Sequence, residues 1–352
     1  MTAPKTDEFV WQSNASRQDI AKRLRGVQNV AIFTHAKPDG DSTGSSLALA
    51  RALTHAGIRA IPVYVDPWLE RFTEILGETP VLHESGGAFD DAFLQTVDTA
   101  VIVDTGSWGQ VAGAGDWIRD HLDRVIIIDH HAHGDIPAPM RLIDTAAAAA
   151  CEIVADVCTM LLDDRSPSEL PADVAHALYL GIATDTGWFK HSNVTPNVLR
   201  LAGDLLAAGV DHTRLVRIIE QSDERARIHA IATALATLEY HGDGRFAVLG
   251  LDHHAITSNG FTLDHLGGLT DLPMSVSSVR AAAALTEIEP GLTKVSFRSK
   301  TNPDSVNVNE VAQTLDGGGH KHAAGAKIRA PYAEARERVI AALTDAETLG
   351  NA

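Results

Sequence analysis

Asn29-Val-Ala-Ile-Phe-Thr-His-Ala-Lys-Pro-Asp-Gly-Asp41 joins a short apolar run to a loop that carries an imidazole and two carboxylates within seven residues. The run reads as a strand. His35, Asp39 and Asp41 then follow at a spacing that lets one loop present three ligands to one place. Pro38 restricts the backbone there and Gly40 permits a tight turn. A helix is expected from Ser42 to about Ala56, with its positive N-terminus facing the same crevice and favouring a phosphate.

Working outward, similar runs recur as AIPVYV from Ala60, TAVIVD from Thr99 and RVIIID from Arg124, with helical patterns between them. Strands alternating with helices predict an α/β fold whose N-terminal sheet is parallel and covered on both faces. The strands beginning at Asn29, Thr99 and Arg124 run directly into His35, Asp104 and Asp129. In such sheets ligands bind beyond the carboxyl ends of the strands, so one rim collects all three residues. His130 and His131 follow Asp129, and Asp185 stands at a helix end in GIATDTGWF. A single Asp at a strand end is commonly a turn or helix cap. Seven metal-competent residues at successive strand ends of one sheet are not explained that way. Carboxylate and imidazole without cysteine suit Mn²⁺ or Mg²⁺, with Zn²⁺, Fe²⁺ and Co²⁺ as further options, and do not suggest a structural zinc site. There are enough ligands for two ions.

With 352 residues the chain exceeds the size at which one core stops growing, so two domains are expected. Apolar residues at 45% and charged residues at 21% are those of a globular protein. The polar opening segment lacks the pattern of a signal peptide, and no run of 18 apolar residues occurs, so a cytoplasmic protein without a membrane span is expected. Cys151 and Cys158, seven residues apart on one expected helix, would lie roughly 10 Å from each other, too far for a disulfide. A formal net charge of -17 speaks against long duplex nucleic acid as a partner, but not against a short nucleotide.

Helices are expected from Ala146 to Leu162 and from Ala172 to Thr184. The stretch from about Thr195 to Tyr240 has helical spacing and no convincing strand. This divides the chain into 1–195 as a metal-binding domain, 196–240 as a helical linker, and 241–345 as a smaller α/β domain with strands FAVLGL, SVRAAAAL and TKVSFRS and a helix from Asn309 to Leu315. A second Asp-His-His at Asp252, His253 and His254 lacks the surrounding ligands, and Asp252 reads as a helix N-cap. Toward the end, Phe297-Arg298-Ser299-Lys300 is followed by Gly317-Gly318-Gly319-His320. Arg298 offers a planar fork for a phosphate, and consecutive glycines let backbone N–H groups approach an anion.

HAKPDGD, VDTG, DHH and GIATDTG, in that order, resemble the four motifs of the DHH phosphoesterases over most of residues 25 to 200. The resemblance implies one ion held by His35, Asp39 and Asp104 and a second by Asp41, Asp104, His130 and Asp185, with Asp104 bridging. Two such ions can share a hydroxide and clamp phosphoryl oxygens during in-line attack. His131 is then left to face the scissile phosphate, as donor to its oxygens or acid to the leaving group, while Asp129 orients a histidine. The FRSK and GGGH pair resembles the DHHA1 domain. From about residue 20 to 330 the chain resembles bacterial nanoRNases that also act as phosphoadenosine phosphate phosphatases. That implies substrate-binding roles for Arg298, Gly318, Gly319 and His320, with Ser299 and Lys300 beside them. It also implies very short oligoribonucleotides or dinucleotides and 3′-phosphoadenosine 5′-phosphate as substrates, two divalent ions with Mn²⁺ ahead of Mg²⁺ or Co²⁺, and a homodimer.

Other readings share part of this pattern. Cyclic dinucleotides present the same bond to the same metals. A family II inorganic pyrophosphatase shares the first motifs but lacks an FRSK and GGGH pair. The single-strand exonuclease of DNA recombination carries an OB fold for which this chain has no room. A non-catalytic nucleotide sensor would show gaps among the ligands, and none is present. Two departures stand out: TGSWGQVAG follows Asp104, whereas the family often has a polar or charged residue and an arginine soon after that motif, and Asp316 precedes the glycine run where many relatives have another glycine.

Overall fold

The computed structural model describes residues 9–65, 67–84, 92–301 and 305–350, and it divides into two compact units, Met1–Ser222 and Asp223–Ala352. The first unit holds six parallel strands: β1 (Asn29–Phe33), β2 (Arg59–Val65), β3 (Leu82–Glu84), β4 (Thr99–Val103), β5 (Val125–Asp129) and β6 (Met140–Ile143). Their order is β3-β2-β1-β4-β5-β6. The chain therefore reverses its direction of winding between β1 and β4, which pair in register from Val30 opposite Thr99. A crevice opens at the carboxyl ends of strands at such a switch point, and the loops after β1 and β4 carry His35 and Asp104.

Alternate residues of these strands enter two separate cores. Val30, Ile32, Val101, Val103, Ile126 and Ile128 pack beneath the long helices, while Ala31, Phe33, Ile102 and Ile127 pack beneath short turns and the helix Gly115–Asp120. Both faces are covered, which is why the strands read as unbroken apolar runs. The helices Gly40–His55 and Ala172–Asp185 approach closely through two glycines. A Cβ on Gly44 would lie 2.4 Å from the Ala177 carbonyl oxygen, and one on Gly181 would lie 2.2 Å from Cys151 Sγ.

β3 and β6 were not expected; the first is three residues long and the second is only partly buried, so neither leaves a strong apolar run. The alanine run was expected to begin a helix at Ala146, but the helix spans Ala150–Leu161. Before it, the chain turns, with Asp144 Oδ1 accepting from Ala146 N at 3.1 Å and Glu152 Oε2 from Ala148 N at 2.8 Å. Cys151 and Cys158 are buried free thiols on that helix.

Within the stretch 196–240, the helices Pro196–Ala207 and His212–Glu220 bury Val198, Leu205, Leu215 and Ile218 in the first unit, whereas Arg225–Leu235 places Ala230 and Ala234 in a core of the second. The second unit is a mixed sheet of β7 (Glu239–His241), β8 (Phe246–Leu251), β9 (Ala281–Glu289), β10 (Leu292–Ser299), β11 (Gly318–His320) and β12 (Ala323–Ile328). The order is β11-β12-β10-β9-β8-β7, parallel only between β8 and β9. Val295, Phe297 and Ala324 face a core with Val308, Val311, Ala335 and Val339 of two helices. Asp252 Oδ1 accepts from Ala255 N at 2.6 Å and so caps the helix His253–Ser258. Among the described residues no helix is long and apolar enough to cross a membrane.

Candidate metal centre

Eight side chains meet at the switch point of the first sheet. Asp39 caps the helix Gly40–His55, its Oδ1 accepting from the backbone N–H of Asp41 and Ser42 at 3.0 Å each. A Cβ on Gly40 would stand 2.2 Å from Thr184 Oγ1, so only glycine lets this turn press against the helix that ends in Asp185. Asp41 points the other way along the same helix start and is buried. Its two oxygens accept the backbone N–H groups of Ala150 at 2.6 Å and Cys151 at 2.9 Å. The helix Ala150–Leu161 has no side-chain cap of its own, and Asp41 satisfies its first donors from another helix.

Asp104 is the centre of the cluster. It is 2% exposed and holds a left-handed backbone with φ 62°, a conformation that Asp tolerates better than most residues. Its Oδ2 lies 3.5 Å from His35 Nε2 and its Oδ1 3.3 Å from His130 Nε2. The far nitrogen of each ring is engaged: His35 Nδ1 stands 2.9 Å from the Ala36 carbonyl and His130 Nδ1 3.4 Å from that of Ala147. If Nδ1 donates in both rings, both Nε2 lone pairs are left aimed at the cluster. His35 Nε2 is also 3.6 Å from Asp39 Oδ1, and His130 Nε2 is 3.8 Å from Asp41 Oδ2 and 4.0 Å from Asp185 Oδ2.

Three ligand-competent groupings result: His35, Asp39 and Asp104; Asp41, His130 and Asp185; and Asp104, His130 and His131. The first brings together the three residues that the resemblance assigns to one ion; the second holds three of the four assigned to the other, and the fourth, Asp104, has its Oδ1 3.3 Å from His130 Nε2. In the third, His131 would ligate through Nδ1, but that atom lies 2.8 Å from Asp129 Oδ1. The same Asp129 oxygen also accepts the backbone N–H of His130 and His131, at 2.8 and 3.2 Å. Asp129 is fully buried while the His131 side chain is 54% exposed, so the carboxylate anchors the ring from below and Nε2 is left for a reactant.

The charge state of these groups tests whether a divalent cation fits. Burial, with Asp104 and Asp185 nearby, pushes the Asp41 carboxyl well above its ordinary range. Burial likewise pushes Asp185 up to about 6, with Asp104 and Asp39 adding to the effect. Burial opposes charge on the histidines too, yet Asp104 and Asp39 raise His35 to about 11, and Asp104 and Asp41 raise His130 to about 10. Asp39 moves the other way despite its burial, down to about 2, because His35 faces it and Ser42 donates to it. Protons thus stand where cations would relieve crowded carboxylates, and Asp104 Oδ1 is buried without a hydrogen-bond donor. Oxygen and imidazole ligands around an orphaned carboxylate oxygen fit a hard divalent ion.

In the second unit, Arg298 on β10 stands opposite Ala323 on β12, and Ala323 opposite His320 on β11, so Arg298 and His320 share one row and one face of the sheet. Gly318–His320 of the glycine run forms an exposed edge strand. Ser299 and Lys300 point elsewhere. Ser299 Oγ lies 3.0 Å from His322 Nδ1, and Lys300 Nζ donates to the carbonyls of Val276 at 2.6 Å and Ser277 at 3.2 Å. His322 had escaped the sequence reading; its position two residues past His320 on the adjoining turn is the only signal it leaves.

Two family models match the chain: DHH family, N-terminal domain, over residues 29–182, and the DHHA1 domain over residues 243–347. The bifunctional oligoribonuclease and PAP phosphatase NrnA of Thermus thermophilus is 32% identical over 332 residues, which cover 93% of each chain. The chain belongs to the DHH phosphoesterase family. An exopolyphosphatase-related protein from Bacteroides fragilis has the same fold, with a TM-score of 0.86 at 20% identity over 96% of this chain and 97% of that one. The exonuclease RecJ bound to manganese is similar in fold at a TM-score of 0.54 and 14% identity, over 98% of this chain and 96% of that one.

Proposed function

We propose that this phosphoesterase hydrolyses very short oligoribonucleotides to mononucleotides and also removes the 3′-phosphate of 3′-phosphoadenosine 5′-phosphate. The observation that carries the reading is the end-to-end match, over 93% of both chains, to a relative named for those two activities. The match to the DHHA1 domain, with Arg298 and His320 in one row, favours a nucleotide over pyrophosphate.

In this reading His35, Asp39 and Asp104 hold one divalent ion and Asp41, Asp104, His130 and Asp185 the other, with manganese as the native metal, in a cytoplasmic homodimer. Bound ions of this kind acidify a water and neutralise charge on the phosphoryl oxygens. The chain's own residues supply the rest. Asp129 fixes the His131 ring through Nδ1, and His131 Nε2 donates a proton to the leaving oxygen. Arg298 pairs its guanidinium with a terminal phosphate, and Gly318, Gly319 and His320 form the strand edge against which the nucleotide lies. Ser299 ties the end of β10 to the turn after that edge through His322, and Lys300 bonds the residue after β10 to the carbonyls of Val276 and Ser277.

The test is product analysis with Mn²⁺ on pApA, a labelled RNA pentamer, a twenty-nucleotide RNA, 3′-phosphoadenosine 5′-phosphate, a cyclic dinucleotide and pyrophosphate. Mononucleotides from pApA and the pentamer, with little from the longer RNA, are expected. Rapid pyrophosphate hydrolysis without nucleotide cleavage would overturn the proposal.

A further inference from the structure

The departure TGSWGQVAG after Asp104 has a structural counterpart at the other end of the unit. Trp11 belongs to a segment tied to the outer edge of the sheet along β6. Ser13 Oγ donates to the Ile143 carbonyl at 2.8 Å and accepts from Ile143 N at 2.6 Å. Asn14 exchanges bonds with Arg141 in the same way, its N donating to the Arg141 carbonyl at 2.9 Å and its Oδ1 accepting from Arg141 N at 2.7 Å. The capping box of Ser16 and Asp19 then starts the helix Arg17–Arg25. The strap is therefore fixed on both sides of its hydrogen-bonded stretch.

It delivers the Trp11 indole into a slot made by two glycines. A Cβ on Gly106 would lie 1.7 Å from the ring, and one on Gly134 would lie 2.6 Å from it. Those glycines sit on the loops that follow Asp104 and His131. The loops are bonded to each other: the Gly106 carbonyl accepts from Asp135 N at 2.9 Å and Ile136 N at 3.0 Å, and Asp135 Oδ1 accepts from Trp108 N at 2.7 Å. Within this clamp, Trp11 Nε1 donates to the His131 carbonyl at 3.0 Å.

The His131 side chain is half exposed, so packing alone does not hold it. Its ring is held by Asp129, its N–H by Asp129 again, and its carbonyl by Trp11. We propose that Trp11, seated between Gly106 and Gly134 and bonded to the His131 carbonyl, is a positioning residue that keeps the His131 imidazole aimed at the leaving oxygen. This rests on the reading of His131 as the proton donor, so the experiment tests the two separately. A larger residue at position 106 would collide with the indole, so the glycine and the tryptophan are two halves of one arrangement.

The experiment compares two substrates of the manganese-loaded full chain: pApA, whose leaving oxygen needs a proton, and the p-nitrophenyl ester of thymidine 5′-phosphate, whose phenolate leaves without one. Trp11→Phe fills the slot but cannot donate. It should lower kcat on pApA about ten- to a hundredfold with KM changed less than about twofold, and leave kcat on the p-nitrophenyl ester within about twofold. Gly134→Ala, which expels the ring by another route, should show the same selectivity, and bound manganese per chain should stay that of the parent protein in both. His131→Ala is the reference arm and should be selective in the same sense and more severe. Equal losses on both substrates for His131→Ala would remove the proton-donor reading and the proposal with it. A selective His131→Ala beside Trp11→Phe and Gly134→Ala variants that are unselective or fully active would overturn the role of Trp11 alone.

Discussion

Asp104→Asn isolates charge from shape at the centre of the cluster. Asparagine accepts the left-handed backbone that Asp104 holds and keeps nearly the same volume, so the turn after β4 should survive. In metal-free protein two changes oppose each other: the amide loses attraction to the protonated His35 and His130, and it relieves repulsion with Asp41 and Asp185. A net effect within about 1 kcal/mol is expected. Metal reveals the difference. At a free Mn²⁺ concentration of about 100 Kd, one site stabilises the folded chain by about 2.7 kcal/mol, and weakening that site about a hundredfold leaves about 0.4 kcal/mol. The loss of about 2.3 kcal/mol corresponds, for a unit of this size, to roughly 5–9 °C in Tm for one ion and about twice that if Asp104 bridges two. Thermal unfolding of both proteins, with chelator and with Mn²⁺ titrated in, reads these terms separately. A variant that gains as much from Mn²⁺ as the parent protein, or that falls by more than about 3 kcal/mol without metal, would show that Asp104 serves the fold rather than an ion.

Two further outcomes follow from the packing and the charges. Gly181→Ala places a methyl 2.2 Å from Cys151 Sγ and 2.7 Å from Asp41 Oδ1, and should cost about 1–3 kcal/mol while weakening Mn²⁺ binding; denaturant unfolding and calorimetric titration measure the two together, and an unaffected affinity would refute the link. Because His35 and His130 are raised to about 11 and 10, both are protonated near neutral pH without metal, and ligation must displace those protons. Mn²⁺ affinity should therefore rise with pH between 6 and 9. In chelator, the stability these two histidines contribute is fully present below their unfolded value near 6.5 and is lost as pH rises toward 10 and 11. Titration in buffers of different ionisation enthalpy counts the released protons, and a pH-independent affinity would contradict this account.

Much of the first domain was legible because its signals are local. Strands buried on both faces leave unbroken apolar runs, and β1, β4 and β5 end within a residue or two of the expected places: β1 two residues before His35, β4 directly before Asp104, and β5 at Asp129 itself. The metal-competent residues were readable because the carboxyl edge of a parallel sheet gathers strand ends by topology alone. The short or partly buried β3, β6 and β11 left no such run. The alanine run misled because its helix does not begin by propensity: its first N–H groups are satisfied by Asp41, more than a hundred residues earlier in the chain.

What the sequence by itself determined, then, is the alternation of strand and helix and the metal-competent side chains that follow strand and helix ends, since each depends on neighbours within a few residues. Only the tertiary structure decided that Asp41 both faces the cluster and caps a distant helix, that Asp129 Oδ1 stands within hydrogen-bonding distance of His131 Nδ1, that Lys300 is bonded to backbone carbonyls, and that Trp11 reaches the loop of His131. Each of those facts is a hydrogen bond between groups whose partners no local pattern names. A buried or half-buried polar atom takes whichever partner the packed chain brings within about 3 Å.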